Sequence, residues 1–292
     1  MKASIIIRTY NEQRYLPDLL SSIRAQKTDF QHEVVLVDSG STDRTVSIAE
    51  EFGCRIQRID KKEFSFGKSL NFGCRVAQGE CLVFVSGHCI PTDENWLAKL
   101  LAPLGRDAIA YTYGGQRGNG QSRFSECQIF AKYFPSESRL PQEGFYCNNA
   151  NAALLKDVWK QYPFDEELTG LEDMHLSKQL VQKGMMVGYV ADAAVFHLHE
   201  ESWSQIRRRF EREALALQHI MPEIQLSRTD FLRYFGSAVL LDLGAALQKK
   251  SLRRSAGEIF LYRLMQFSGA YRGNHIHRKL SRAKKEQYFY PR

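Results

Sequence analysis

Cysteine is scarce in this chain of 292 residues, and its spacing excludes two roles. The six thiols, Cys54, Cys74, Cys81, Cys89, Cys127 and Cys147, include no CxxC pair. They read as reduced, mostly buried thiols of a cytosolic protein, not as a disulfide frame or a zinc site. Long apolar runs are missing too. The longest candidate, from Phe235 to Leu247, is broken by Asp242 and falls short of the roughly 18 residues of a spanning helix. The opening MKASIIIRTYNE has an apolar run too short for a secretory signal. No GxGxxG follows the first apolar run, which disfavours a dinucleotide site. There is no repeat and no low-complexity segment. Acidic residues are nearly absent from the end of the chain. From residue 231 onward thirteen Lys/Arg face Asp242, Glu258 and Glu286, a net +10 within a chain of net +7. A nucleic-acid binder is not favoured, because neither an RNP-like aromatic pattern nor a helix-turn-helix accompanies these charges.

What is present alternates. Ser4–Arg8, Glu33–Asp38, Arg55–Ile59, Cys81–Val85 and Ile109–Gly114 read as buried strands. Glu12–Gln26, Thr42–Phe52, Ser69–Ala77 and Asn95–Leu104 carry helical spacing between them, with Thr42 or Asp43 suited to an N-cap. This alternation implies right-handed crossovers and a mainly parallel α/β sheet covered on both faces. Beyond residue 115 the pattern loosens. Ser122–Tyr133 suits a helix, Asn151–Trp159 a strand entering a short helix, and Asp173–Lys183 a helix stopped by Gly184. Val187–Tyr189 and Ala194–Phe196 suit strands, and the chain is helical from Ser204.

Parallel sheets collect ligands at the C-terminal ends of their strands. Thr9-Tyr10-Asn11-Glu12 follows the first strand and Asp38-Ser-Gly40-Ser the second. Asp38 can accept from a base or ribose, Gly40 admits close backbone approach, and Tyr10 can cover a nucleoside. The same Asp-Ser-Gly-Ser can equally be a capped strand-to-helix turn. Glu172-Asp173 opens a helical pattern between the apolar Leu171 and Met174, a setting that raises a carboxyl pKa. An acidic first helical turn would read the same way.

Several motifs in order carry a resemblance. Ser4-Ile-Ile-Ile-Arg-Thr-Tyr-Asn-Glu12, Val34-Val-Leu-Val-Asp-Ser-Gly-Ser-Thr-Asp43, Phe66-Gly-Lys68-Ser-Leu-Asn71-Phe-Gly73, Ile90-Pro-Thr-Asp93-Glu-Asn-Trp96-Leu97 and Gly114-Gly-Gln116-Arg117 resemble the family 2 glycosyltransferases of the GT-A (Rossmann-like) fold. They are most similar to the rhamnosyltransferase-like branch that builds bacterial surface polysaccharides. The resemblance covers about residues 3–215 and implies a catalytic domain over 1–215. Its nucleotide half spans about 1–115 and its acceptor half about 116–215, with a basic helical extension over 216–292.

The resemblance implies an inverting transfer of a sugar from a UDP- or dTDP-sugar to a glycan or lipid-linked glycan. Thr9, Asn11, Glu12 and Asp38 would lie around the nucleoside, Lys68 near the diphosphate, and Asn71 packing or bonding beside it. Lys68 is otherwise an ordinary surface lysine. Asp173 would be the base and Glu172 its neighbour. Asn148, Asn149 and Asn151, with Gln116 and Arg117, would meet the donor sugar and acceptor, followed by Trp203 and Arg207. Most relatives end the fourth strand with Asp-x-Asp, whose carboxylates hold ribose and a divalent ion; here the piece is Ser86-Gly87-His88. Two roles for His88 stand open. It can bind Mn²⁺ or Mg²⁺ with His197 or His199, or it can bond the diphosphate with no metal. The departure also motivates a second reading, a catalytically silent nucleotide-sugar-binding subunit. The basic, partly apolar tail suits the inner face of the inner membrane, or a helical pair packed on the body or on a second copy.

Overall fold

A computed structural model describes residues 2–275 and 288–289. The tail cations from Arg278 to Lys285, with Arg292, lie outside the described residues. The chain forms two compact units. The first comprises Met1–Asn119, Phe134–Glu167 and Glu172–Leu198; the second comprises Gly120–Tyr133, Leu168–Leu171 and His199–Arg292.

In chain order the first unit begins with β1 (Ala3–Thr9), α1 (Leu16–Arg24), β2 (His32–Asp38), α2 (Thr45–Glu51) and β3 (Arg55–Arg58). It continues with α3 (Phe66–Val76), β4 (Cys81–Ser86), β5 (Cys89–Pro91), α4 (Trp96–Leu101) and β6 (Ile109–Arg117). After α5 (Phe124–Tyr133), which belongs to the second unit, come β7 (Asn151–Leu155), α6 (Lys156–Gln161), α7 (Glu172–Gln182) and β8 (Met186–His197). The strands form one sheet in the order β3-β2-β1-β4-β7-β6-β8-β5. From β3 to β4 every pair is parallel. β7 runs antiparallel to both its neighbours, β6 and β8 are parallel, and β5 is antiparallel to β8.

Strand side chains alternate between faces, and both faces of this sheet are apolar. Ile5, Ile7, Leu36, Val83 and Val85 pack with α1 and α4 in one cluster. Ile6, Val35, Val37, Leu82 and Phe84 pack with α3 and α7 in the other. Register aligns Thr9 with Asp38 and Arg8 with Ser86. The polar ends of the first, second and fourth strands are therefore neighbours.

Local differences from the sequence expectations have identifiable causes. α1 begins at Leu16, not near Glu12, because Asn11 turns the chain at φ 57° and Pro17 suits the first helical turn. α3 starts at Phe66 because Ser65 caps it, its hydroxyl accepting from Lys68 N–H at 3.1 Å. The two strands expected within 187–196 are one, β8, and the short β5 had no period long enough to read.

The second unit adds α8 (Trp203–Ile220), α9 (Arg228–Gln248) and α10 (Leu252–Asn274) to α5. The expected boundary at residue 215 falls inside α8. Capping boxes start α8 at Ser202 with Gln205 and α9 at Ser227 with Asp230. Gly269 lets α10 lie against the α8 backbone, since a Cβ there would overlap the Arg207 carbonyl. Asp242 on α9 is buried and accepts twice from Arg263 on α10 at 2.8 Å, and once from Ser125 on α5 at 2.6 Å. Among the described residues no helix is long and apolar enough to cross a membrane.

Candidate active site

Asp173 is a buried carboxyl of the first unit. It lies in the first turn of α7, 7% exposed, directly after Glu172, which is 4% exposed. Its Oδ2 accepts from Asn149 N–H and its Oδ1 from Met174 N–H, both at 2.7 Å. Burial, and then the charge of Glu172, push its carboxyl up to about 7, against the pull of the two N–H groups and Arg8. Glu172 is held by Arg8, whose Nη1 lies 3.2 Å from Oε1 and whose guanidinium covers the Phe66 ring at 4.9 Å. Leu171, just before the pair, adopts φ 55°, a left-handed conformation that costs a leucine about 1–2 kcal/mol. Arg8 was not among the expected site residues. Its signal was a lone cation closing an otherwise apolar central strand.

Around Asp173 the polar groups interlock. Tyr111 donates from its hydroxyl to Asn149 Oδ1, and burial pushes both the Tyr111 hydroxyl and the neighbouring Cys147 thiol far up. Asn149 Nδ2 is buried without a hydrogen-bond partner. Next to it, Asn148 Oδ1 accepts from Ala150 N–H and from Gln116 Nε2, each at 3.0 Å. That orients Gln116 so that its Oε1 faces His197 Nδ1 at 2.7 Å. His197 stacks on His88 with ring centroids 5.1 Å apart, and His88 Nδ1 lies 2.8 Å from Glu12 Oε1.

Both imidazoles therefore meet an acceptor at Nδ1. In the neutral tautomer whose Nδ1–H donates to that acceptor, Nε2 is the lone-pair nitrogen of each ring. An imidazole donor set of this kind fits Mn²⁺ and similar transition ions better than Mg²⁺, which prefers oxygen. His199, two residues along, belongs to the second unit, where its Nδ1 lies 2.7 Å from Glu126 Oε1.

At the strand ends, Thr9 Oγ1 lies 3.3 Å from Asp38 Oδ1. Asp38 also accepts from Gly40 N–H at 2.9 Å, Ser41 N–H at 3.0 Å and Ser41 Oγ at 2.5 Å. This carboxylate is filled by its own turn, which Gly40 closes at φ 91°. To meet a nucleoside it must release one of these donors. Tyr10 accepts from Lys61 Nζ at 2.8 Å, and Asn11 Oδ1 accepts from Thr42 N–H at 2.8 Å. Ser86 closes β4, and its N–H reaches Ala150 O at 3.3 Å. Lys68 stands in the first turn of α3, 3.2 Å from Glu63, and Arg117 is exposed at the end of β6.

Two expected contacts need correction. Asn71 donates to Phe164 O and Glu166 Oε1, at 2.8 and 2.9 Å, and accepts from Trp159 Nε1 and Phe164 N–H, at 2.9 and 3.1 Å. All four of its hydrogen-bonding positions are used, so it fastens α3 to the 159–166 segment and has nothing left for a diphosphate. Asn151 is fully buried; it donates to Gly115 O and Ala193 O and accepts from Trp96 Nε1 at 2.9 Å. It braces β6, β7 and β8 and does not face a sugar. In the second unit, Trp203 is covered by Arg123 at 4.0 Å, and the Arg207 side chain is exposed.

One connected series thus runs through the first unit. It passes from Asp38 and Thr9 to Arg8, Glu172, Asp173, Asn149 and Asn148, then through Gln116, His197 and His88 to Glu12. Known glycosyltransferases resemble this chain in sequence and in fold. Over 213 residues the chain is 27% identical to the O-antigen chain rhamnosyltransferase RfbN of Salmonella typhimurium, covering 68% of this chain and 67% of that protein. It is 28% identical over 212 residues to the poly(ribitol-phosphate) beta-N-acetylglucosaminyltransferase TarS of Staphylococcus aureus, covering 68% of this chain but only 35% of TarS. Its structure overlays on a mannosyltransferase from Pyrobaculum calidifontis, solved with GDP-Man and Mn²⁺, with a TM-score of 0.60 at 19% identity, covering 92% of this chain and 84% of that one. The shared architecture is the GT-A fold. The pattern of Glycosyl transferase family 2 matches residues 4–162, more than half the sequence, and the chain belongs to that family.

Proposed function

We propose that the protein moves a hexosyl or deoxyhexosyl group, with inversion, from a UDP- or dTDP-sugar to a hydroxyl of a bacterial surface-polysaccharide or lipopolysaccharide glycan. The observation that carries this is Asp173. It is a buried carboxyl raised to about 7, and two backbone N–H groups fix its orientation. A base poised near neutrality can take the proton of an acceptor hydroxyl and hold it. In the step proposed here, the acceptor oxygen bonds to the anomeric carbon as its proton passes to Asp173. The bond from that carbon to the diphosphate breaks, and the electron pair leaves with the diphosphate. Arg8 pairs with Glu172 beside the base and holds α7 to β1.

On the donor side, Thr9, Tyr10, Asn11 and Glu12 with Asp38 and Gly40 receive the nucleoside, and Ser86 takes the ribose position. Lys68 exchanges Glu63 for the diphosphate. Gln116, Asn148 and Asn149 line the sugar side, with Arg117 at the rim. His88 and His197 would hold a divalent ion, Mn²⁺ before Mg²⁺. Such an ion, when bound, neutralises charge on the departing diphosphate. The reaction runs on the cytoplasmic side of the inner membrane, where nucleotide-sugars are available.

Thermal stabilisation by a panel of UDP-, dTDP-, GDP- and CMP-sugars, with and without Mn²⁺, tests the donor class and the metal together. A shift with a UDP- or dTDP-sugar, enlarged by Mn²⁺ and accompanied by turnover, is expected. Ser86-Gly87-His88, which lacks both carboxylates of Asp-x-Asp, supports the competing reading of a silent binding subunit. That reading requires the stabilisation without turnover on any acceptor. No stabilisation by any sugar nucleotide contradicts both.

A further inference from the structure

The α9–α10 hairpin of the second unit presents an apolar face framed by one sign of charge. Between Tyr234 and Gln248 the only ionisable acid or base is Asp242, and it is buried against Arg263. Leu240, Leu241 and Leu247 on that stretch are 71%, 74% and 64% exposed. Leu232 precedes them, and Phe260 and Leu261 on α10 are also exposed. Among the described residues, no side chain of the unit buries them.

Charge identifies the partner. The hairpin has three acids, and all are engaged. Asp230 caps α9 through Ser227, Asp242 pairs with Arg263, and Glu258 accepts from Phe124 N–H at 2.7 Å. Its turn carries Lys249, Lys250, Arg253 and Arg254, all exposed. Among the described residues, Lys250, Arg253 and Arg254 have no ion-pair partner. Arg253 and Arg254 lie in the first turn of α10, where no acid is present and the helix dipole disfavours cations. Intramolecular stability does not call for them there.

We propose that this face docks on an anionic lipid surface. Leu240, Leu241 and Leu247 would enter the headgroup–acyl boundary, and the Lys249–Arg254 turn would meet lipid phosphates. Two copies set face to face would bring like charges together, so a second copy fits less well. The proposal does not depend on the sugar-transfer reading, because lipid binding needs neither donor nor Asp173.

The test is flotation of the full chain with phosphatidylcholine vesicles made with and without phosphatidylglycerol, at low and high salt. Binding is expected only with phosphatidylglycerol and is expected to weaken as salt rises. Each cation near an anionic surface contributes roughly fivefold, so Arg253→Gln with Arg254→Gln should weaken binding about 30-fold at low salt. Leu240→Ser with Leu241→Ser should weaken it roughly tenfold or more. Both pairs are exposed, so melting temperature should stay near that of the parent. Absence of binding to phosphatidylglycerol vesicles at low salt overturns the proposal. So does binding untouched by the leucine pair, which would assign attachment to another part of the chain. Light scattering that finds a dimer dissolved by the leucine pair, with no vesicle binding, overturns it in favour of a second copy.

Discussion

Replacing Asp173 by asparagine alters one buried charge and almost nothing of its shape. In the parent protein each carboxylate oxygen accepts one backbone N–H, from Asn149 or Met174. An amide has a single oxygen, so one of those N–H groups loses its acceptor, at a cost of about 1–3 kcal/mol. Ionisation acts the other way. Burial and Glu172 raise the carboxyl from 3.8 to about 7, so the folded protein keeps a proton that the unfolded chain releases. Stability from this group is complete below about pH 4 and is lost as pH rises through about 7. At about 1.4 kcal/mol per pH unit, the ionised carboxylate costs the fold about 4 kcal/mol by pH 8, and Asp173→Asn escapes that cost. Near pH 8 the variant should therefore be more stable than the parent by about 1–3 kcal/mol. Between about pH 5 and pH 8 the difference between the two proteins should move by about 3 kcal/mol in the variant's favour. Urea unfolding of both at the two pH values measures it, and other titrating groups cancel in the comparison. A difference that stays constant with pH would refute the burial argument for Asp173.

Three further outcomes follow from the same geometry. Glu172→Gln removes the neighbouring negative charge, so the acid limb of kcat/KM, expected near 7, should move to lower pH; a pH–rate profile checks it. Asn151→Ala strands the Trp96 Nε1–H in the core and should lower unfolding stability by about 3 kcal/mol, seen as an earlier urea midpoint. Gln116→Leu removes the acceptor that orients His197, so Mn²⁺ affinity measured by calorimetry should fall about 10–100-fold.

The alternation of strands and helices was readable because the buried parallel strands, such as Ile5-Ile6-Ile7 and Val34-Val-Leu-Val37, are nearly continuous apolar runs bounded by polar turns. The helices on either side show their own period. β5 was not readable, since three residues carry no period, and neither was the continuity of β8 through Asp192. Glu172-Asp173 was legible as a carboxylate pair in an apolar setting, and the fold buries both. The tasks of the asparagines were not legible. Asn148, Asn149 and Asn151 look alike in sequence, yet one orients Gln116, one presents its N–H to Asp173, and one braces three strands. Only tertiary partners distinguish them, as they do for Asn71 and for the link from Arg8 to Glu172 across 164 positions of sequence.

Whether Asp173 takes the proton of the acceptor hydroxyl is decided by sugar transfer in Asp173→Asn, measured alongside its donor-induced thermal shift. The donor shift should persist while transfer falls about 10²–10⁴-fold. Transfer within a few-fold of the parent, with the donor still bound, would contradict that role for Asp173.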